Sequence, residues 1–280
     1  MVEYKLLKIG KQVITKAFKK YQNIIMVFCS FCSMCLSADL YDYFKEFCQI
    51  GERSPNTPGH RLARDYIISH LDNPEIDSFF QEGIWFYNIY KKFSGTGELI
   101  GIAAHWDSDI NCPGANDGGS GVSILLKLAD TLKKNPPRLR VHLLFFDGED
   151  LRQAELVGSN HFAAKCLERY SFILVIDMVG DRDLQIYQEG HSVKFFPQLV
   201  DSIWRIGMNM APNVFFPSVK YYIIDDHIAL LKYGIPAIDI IDFDYPYWDT
   251  KDDTIDKCSN ESLKIVYQFL LNIVYEKGEY

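Results

Sequence analysis

The chain has 280 residues, 48% of them hydrophobic, which suits one large α/β domain with a sizeable core. Its formal net charge of -8 excludes the basic surface that nucleic-acid binding requires. No repeat or low-complexity tract suggests a fibrous or disordered protein.

In chain order, the first 38 residues differ from the rest. Lys5, Lys8, Lys11, Lys16, Lys19 and Lys20 precede an apolar run from Ile24 to Ala38 that ends in small residues. A basic region followed by such a run resembles a secretory signal peptide, and the run is shorter than the ~20 residues of a spanning helix. The expectation is an exported protein, periplasmic or secreted, with 1–38 as a signal peptide or a retained N-terminal anchor. No stable membrane span is expected, and 39–280 reads as a single domain. An amphipathic helix packed on that domain is the competing reading of the leader. Cys29, Cys32 and Cys35 have a spacing known from metal thiolates, but no fourth ligand follows. Cys48, Cys112, Cys166 and Cys258 fit either disulfides or buried free thiols.

Residues 41–50 read as a helix, ended by a turn over 52–59 that carries two prolines and a glycine. Residues 60–71 have helical apolar spacing, and 84–90 alternate as a strand. Residues 98–104 form a buried strand that delivers His105. A helix over 121–134 ends at Asn135-Pro136-Pro137. A strand over 140–146 then delivers Asp147 and Glu149. The remaining pattern predicts helices at 159–165, 196–208, 226–232 and 260–275, and strands at 172–178 and 235–241. Apolar strands alternating with helices argue a mainly parallel sheet covered on both faces. Ligands bind such sheets at the carboxyl ends of the strands, and the acids lie there.

Single acids at strand ends are common, but several converging on one sheet edge are costly to leave unpaired, so a cation is the natural occupant. His105 can ligate a metal as neutral imidazole, with Asp107 bonding its other ring nitrogen. A structural histidine is the plainer alternative. In Pro113–Gly121, glycines let the chain turn before the helix, and Asn116 and Asp117 point above the sheet. An acid inside that loop argues for metal rather than phosphate. In the adjacent pair Glu149-Asp150, one acid can bind a cation while the other serves as general base. Asp177 ends the most apolar strand, and Asp225, Asp226 and His227 open a helix, one of the acids being its cap. Aromatics and acids combine again in Tyr245–Asp253.

Taken together, H-W-D-S, G-A-N-D-G-G-S-G, F-F-D-G-E-D, D-M-V-G, D-D-H and Y-W-D-T resemble the zinc-dependent aminopeptidase superfamily. Within it the chain looks most like glutaminyl-peptide cyclotransferases, especially bacterial ones, from about Ser54 onward. The resemblance implies a three-layer α/β/α sandwich with a mixed, mainly parallel central sheet. It implies zinc on Asp117, Asp150 and Asp249, with one ion expected rather than two. Glu149 would be the general acid/base, with Asp177 and Asp225 holding the reacting groups. In dizinc aminopeptidases the counterparts of His105 and Asp177 bind a second metal. Trp248, and also Trp106, would wall the pocket.

Two features depart from the family pattern. Asp249 stands where the family carries histidine, which makes the ligand set harder and more anionic. The segment 151–157 is short and lacks the tryptophan of many cyclases. The implied activity is cyclisation of N-terminal glutamine to pyroglutamate with release of ammonia. A zinc aminopeptidase is the alternative, and a catalytically impaired peptide-binding homologue, on account of Asp249, is a third reading. Peptide or protein N-termini are the implied partners, and a monomer is expected.

Overall fold

The computed structural model describes residues 40–151 and 156–275. The expected signal peptide or anchor, with Cys29, Cys32 and Cys35, lies outside the described residues, as does most of the short 151–157 segment. Cys48, Cys112, Cys166 and Cys258 are free thiols, which removes the disulfide alternative.

The chain opens with α1 (residues 40–48), which buries Leu40, Phe44 and Phe47. Helix α2 (Pro58–His70) starts two residues before the expected point. Thr57 caps it by accepting from the His60 N–H, and Pro58 occupies the first turn, where its missing N–H costs nothing. The proline expected to belong to a turn therefore begins a helix.

Strand β1 (Glu75–Gln81) was not anticipated. It is a sheet edge with most of its residues exposed, so it lacks the alternation that marks a half-buried strand. It pairs antiparallel with β2 (Ile84–Phe93) through Glu82-Gly83, both with positive φ, the geometry of a tight hairpin. The elements that follow are β3 (Leu99–His105), α3 (Gly119–Lys134), β4 (Arg140–Phe146), α4 (Val157–Lys165) and β5 (Phe172–Asp177). Then come β6 (Ile186–Glu189), α5 (Gly190–Phe195), α6 (Pro197–Met210), β7 (Phe215–Tyr221), α7 (Asp226–Lys232), β8 (Ala237–Ile241) and α8 (Asn260–Tyr275). β6, α5 and β7 also escape the hydrophobic pattern, because the first two are short and β7 is largely exposed.

The main sheet runs β1-β2-β4-β3-β5-β8. β1, β2 and β4 pair antiparallel, whereas β4, β3, β5 and β8 run parallel. Every residue of β3, β5 and β8 is buried, as strands covered on both faces require. α4 packs on α7, while α3 and α6 each pack on α8. The fold is thus an α/β/α sandwich, and the parallel strands aim their carboxyl ends at one edge.

Asp242, just past β8, is fully buried and accepts from the N–H groups of Gln185 and Asp244 at 2.9 and 3.1 Å. Burial outweighs those bonds and pushes its carboxyl up to about 7. The folded protein then holds a proton that the unfolded chain, with an ordinary pKa of about 3.9, releases. Stability from this residue therefore falls as pH rises from about 4 to 7. Asp242→Asn loses one backbone acceptor and should melt lower at pH 5. Thermal scans across pH should show the gap to wild type narrowing by pH 8.

Candidate active site

His105, at the end of β3, is the hub of the site. Its Nε2 lies 3.0 Å from Asp117 Oδ1 and 3.1 Å from Asp177 Oδ1. Its Nδ1 lies 3.7 Å from Asp107 and 3.8 Å from Asp150, and has no hydrogen-bond partner. The expected Asp107–His105 hydrogen bond is therefore replaced by a longer ion-pair contact. Asp107 instead accepts from the N–H groups of Glu149 and Asp150, at 3.2 and 3.0 Å. This fully buried carboxylate fixes the backbone of the two acids that matter most after β4.

Two side chains that sequence reasoning passed over set the Asp117 loop. Asp253 accepts from the N–H groups of Asn116 and Asp117 at 2.9 and 3.1 Å, and from the Tyr245 hydroxyl at 2.5 Å. Arg53 is wholly buried and donates to six backbone carbonyls, those of Gly51, Trp106, Asp107, Pro113, Gly114 and Asp117. Gly118 has φ +68°, and a Cβ there would lie 2.9 Å from the His105 ring. Glycine is thus required both by the turn and by the histidine behind it.

These elements surround a cavity of about 420 Å³. Asp117, Glu149, Asp150, Asp177, Asp225 and Asp249 supply its polar wall, and Ile223, Ile241, Phe243 and Trp248 much of its apolar one. Trp248 is 41% exposed and packs 5.5 Å from Phe243, at the rim. Trp106 corrects an expectation. It is fully buried, stacks on His60 at 4.5 Å and donates to the Tyr87 carbonyl, so it belongs to the core and not to the cavity. Asp147 is likewise structural, accepting from His60 and from the Tyr87 N–H. Asp225 caps α7 by accepting from the Asp226 N–H and still lines the cavity.

The electrostatics are those of crowded acids. Burial drives Glu149 well above the usual carboxylate range, Asp225, Asp226 and Asp177 add to the rise, and His105 opposes it. Burial and the Asp117 charge do the same to Asp150. Asp249 is pushed up to about 6 by burial and by Asp117 and Asp109. Burial works against the His105 imidazolium, but Asp150 and the acids around it win and hold its pKa well above normal.

Ligand atoms of Asp117, Asp150 and Asp249 lie within 4.8 Å of one another, and buried Asp150 Oδ2 has no hydrogen-bond partner. A converging set of under-satisfied carboxylates fits a divalent cation. His105, Asp117 and Asp177 form a second such group sharing Asp117, and His105, Glu149 and Asp150 a third sharing Asp150. Asp249 keeps a donor where histidine was expected, in a left-handed conformation (φ 55°) that aspartate tolerates.

Known proteins resemble the chain in sequence and fold. The profile of peptidase family M28 matches residues 88–274. A glutaminyl-peptide cyclotransferase of Drosophila melanogaster is 24% identical over 76% of this chain and 75% of its own length. Aminopeptidase YwaD of Bacillus subtilis is 28% identical over 64% of this chain, which spans only 41% of that protein. Among solved structures, a glutaminyl cyclase of Bacteroides thetaiotaomicron superposes with TM-score 0.80 at 25% identity, covering 86% of this chain and 98% of its own. A Zn-dependent exopeptidase of Parabacteroides distasonis superposes with TM-score 0.79 at 25% identity, with the same coverage.

Proposed function

The chain belongs to peptidase family M28, and from that premise we propose that it is a zinc-dependent enzyme that cyclises N-terminal glutamine to pyroglutamate. The observation that carries this reading is the cavity itself. Glu149 stands beside the Asp117–Asp150–Asp249 group in a cavity of about 420 Å³, ample for a substrate's terminal residue, with Trp248 and Phe243 in its wall. The cyclotransferase relatives that match three-quarters or more of both chains support it.

Zinc held by Asp117, Asp150 and Asp249 would supply Lewis-acid polarisation of the substrate's γ-carboxamide. Glu149 takes a proton from the substrate's α-amine as that nitrogen attacks the carboxamide carbon. The new C–N bond closes the ring, the old one breaks, and Glu149 returns the proton to the departing ammonia. Asp177 and Asp225, which line the same cavity, hold the moving nitrogens by hydrogen bonds. The attack is intramolecular, so positioning supplies much of the acceleration.

The deciding experiment incubates the protein with a Gln-initiated peptide and reads products by mass spectrometry. Loss of one ammonia per peptide is expected. Release of free amino acids without that loss would establish the second reading, an exopeptidase. The His105–Asp117–Asp177 group favours that alternative, since it would suit a second metal. Export of the protein and its action as a monomer on peptide N-termini belong to the same proposal.

Trp248 makes a separable prediction. Its ring is half-exposed at the rim, so Trp248→Ala should leave the melting temperature nearly unchanged. Losing an aromatic wall should raise KM by roughly 10-fold, about 1.4 kcal/mol, with a smaller change in kcat. Steady-state kinetics on the Gln-initiated peptide check it.

A further inference from the structure

Behind the cavity wall, α7 and β8 bring together ionisable side chains that the proposed reaction does not use, Asp225 excepted. Ligand atoms of Asp225, His227 and Asp239 lie within 4.8 Å of one another. His227 and Asp239 are completely buried, and Asp225 is 3% exposed. Glu189 stands on the far side of the imidazole, its Oε2 3.1 Å from His227 Nε2. That carboxylate is fully engaged. It accepts from the N–H groups of His191, Ser192 and Ile223 and from the Ser192 hydroxyl.

The other side of the ring is different. His227 Nδ1 lies 3.5 Å from Asp239 Oδ2. Neither oxygen of Asp239 has a hydrogen-bond partner, and neither has Asp225 Oδ2. The Glu189 charge, 3.1 Å from Nε2 without an aligned hydrogen bond, favours the tautomer that carries its proton there. The Nδ1 lone pair then faces two carboxylates in a water-poor interior. Three electron-rich groups so placed repel one another unless something positive lies between them.

We propose that Asp225, His227 and Asp239 bind a second divalent cation, separate from that of the Asp117–Asp150–Asp249 group. Two carboxylates and one imidazole suit a hard to borderline ion such as Mn2+, with water completing the shell. The cation would neutralise the buried acids and grip Asp225 from behind, fixing the carboxylate that lines the cavity. A proton shared between Asp225 and Asp239 is the competing occupant. The proposal does not depend on whether the enzyme cyclises or hydrolyses, because its test reads bound metal and not products.

The test uses the full chain, stripped with a chelator, equilibrated with Mn2+ and assayed for manganese per chain by mass spectrometry. Asp239→Asn and His227→Gln should each bind one ion fewer than wild type. Every cavity group contains Asp117 or Asp150 and this one contains neither, so the double variant Asp117→Asn/Asp150→Asn isolates the proposed site. That variant should retain one ion, and added Mn2+ should raise its melting temperature by several degrees. Adding Asp239→Asn should abolish both effects. Unchanged stoichiometry in Asp239→Asn and His227→Gln would overturn the site. So would an Asp117→Asn/Asp150→Asn chain that binds no Mn2+ and melts identically with and without it, which would leave a shared proton as the occupant. Should the Asp239 or His227 variants fail to fold, the Asp117→Asn/Asp150→Asn chain decides alone.

Discussion

Glu149→Gln should lower kcat by ~10²–10⁴-fold, the usual loss when a positioned proton carrier is removed. Its KM should hardly change, because the amide keeps the shape of the acid and lies beside the ligand group, not within the Asp117–Asp150–Asp249 set. Stability should hold or rise. Burial and the charges of Asp225, Asp226 and Asp177 all disfavour an ionised Glu149, and glutamine removes that conflict. The combination is diagnostic, since damaged folding or lost metal would depress activity and melting temperature together. Kinetics, metal content and a thermal scan on one preparation test it. A variant within tenfold of wild-type kcat would remove Glu149 from the reaction.

Arg53→Met should have the largest effect on stability. The methionine preserves apolar bulk beside Phe47, whose ring lies 4.9 Å from the guanidinium carbon. It takes the side-chain donor from six carbonyls, however; Asp117's keeps the Gly119 N–H and those of Gly51 and Pro113 are only part-buried, which leaves three buried carbonyls to bear most of the cost. Each buried unsatisfied group costs about 1–3 kcal/mol, though such costs are not additive. Even partial relaxation should leave a loss of about 4 kcal/mol, a large share of the 5–15 kcal/mol typical of a domain. A drop in melting temperature of roughly 10 °C or more is expected, with much of the variant insoluble. Arg53→Lys should rescue little, because three donors on one nitrogen cannot reproduce a planar five-donor fork. A melting temperature within about 3 °C of wild type would contradict the role given to Arg53.

What the residues disclosed in one dimension follows from periodicity and type. Strands β3 and β5 announce themselves as apolar runs because both faces are covered, and the acids after them are conspicuous for the same reason. β1 does not, because a largely exposed edge strand has no inside to alternate with. The supports of the site were invisible for another reason. Arg53 and Asp253 act on backbone atoms of residues distant in sequence, so no local pattern betrays them. An arginine just before a turn and an aspartate in an acidic loop look like solvated surface. Trp106 was misplaced by the reverse error. Its neighbours in sequence are site residues, but its ring is claimed by His60, and only the third dimension shows the stack. Asp107 was correctly marked as important but given the wrong partner, because the loop that folds back onto it begins more than 40 residues later.

Asp253 carries one more consequence. It lies four residues after Asp249 and is bonded to the backbone of Asn116 and Asp117. Two of the three carboxylates that would face the cation are therefore splinted together before any ion arrives, and Asp107 does the same for the third through the Asp150 N–H. On the proposed function the site would be a prefabricated chelator, in which the entropy of gathering ligands has been spent during folding and not at the moment of capture. Such a claw would hold its ion by geometry as much as by the identity of any single donor. That is a physical reason why an aspartate at 249 can stand in the place of an imidazole without dismantling the site.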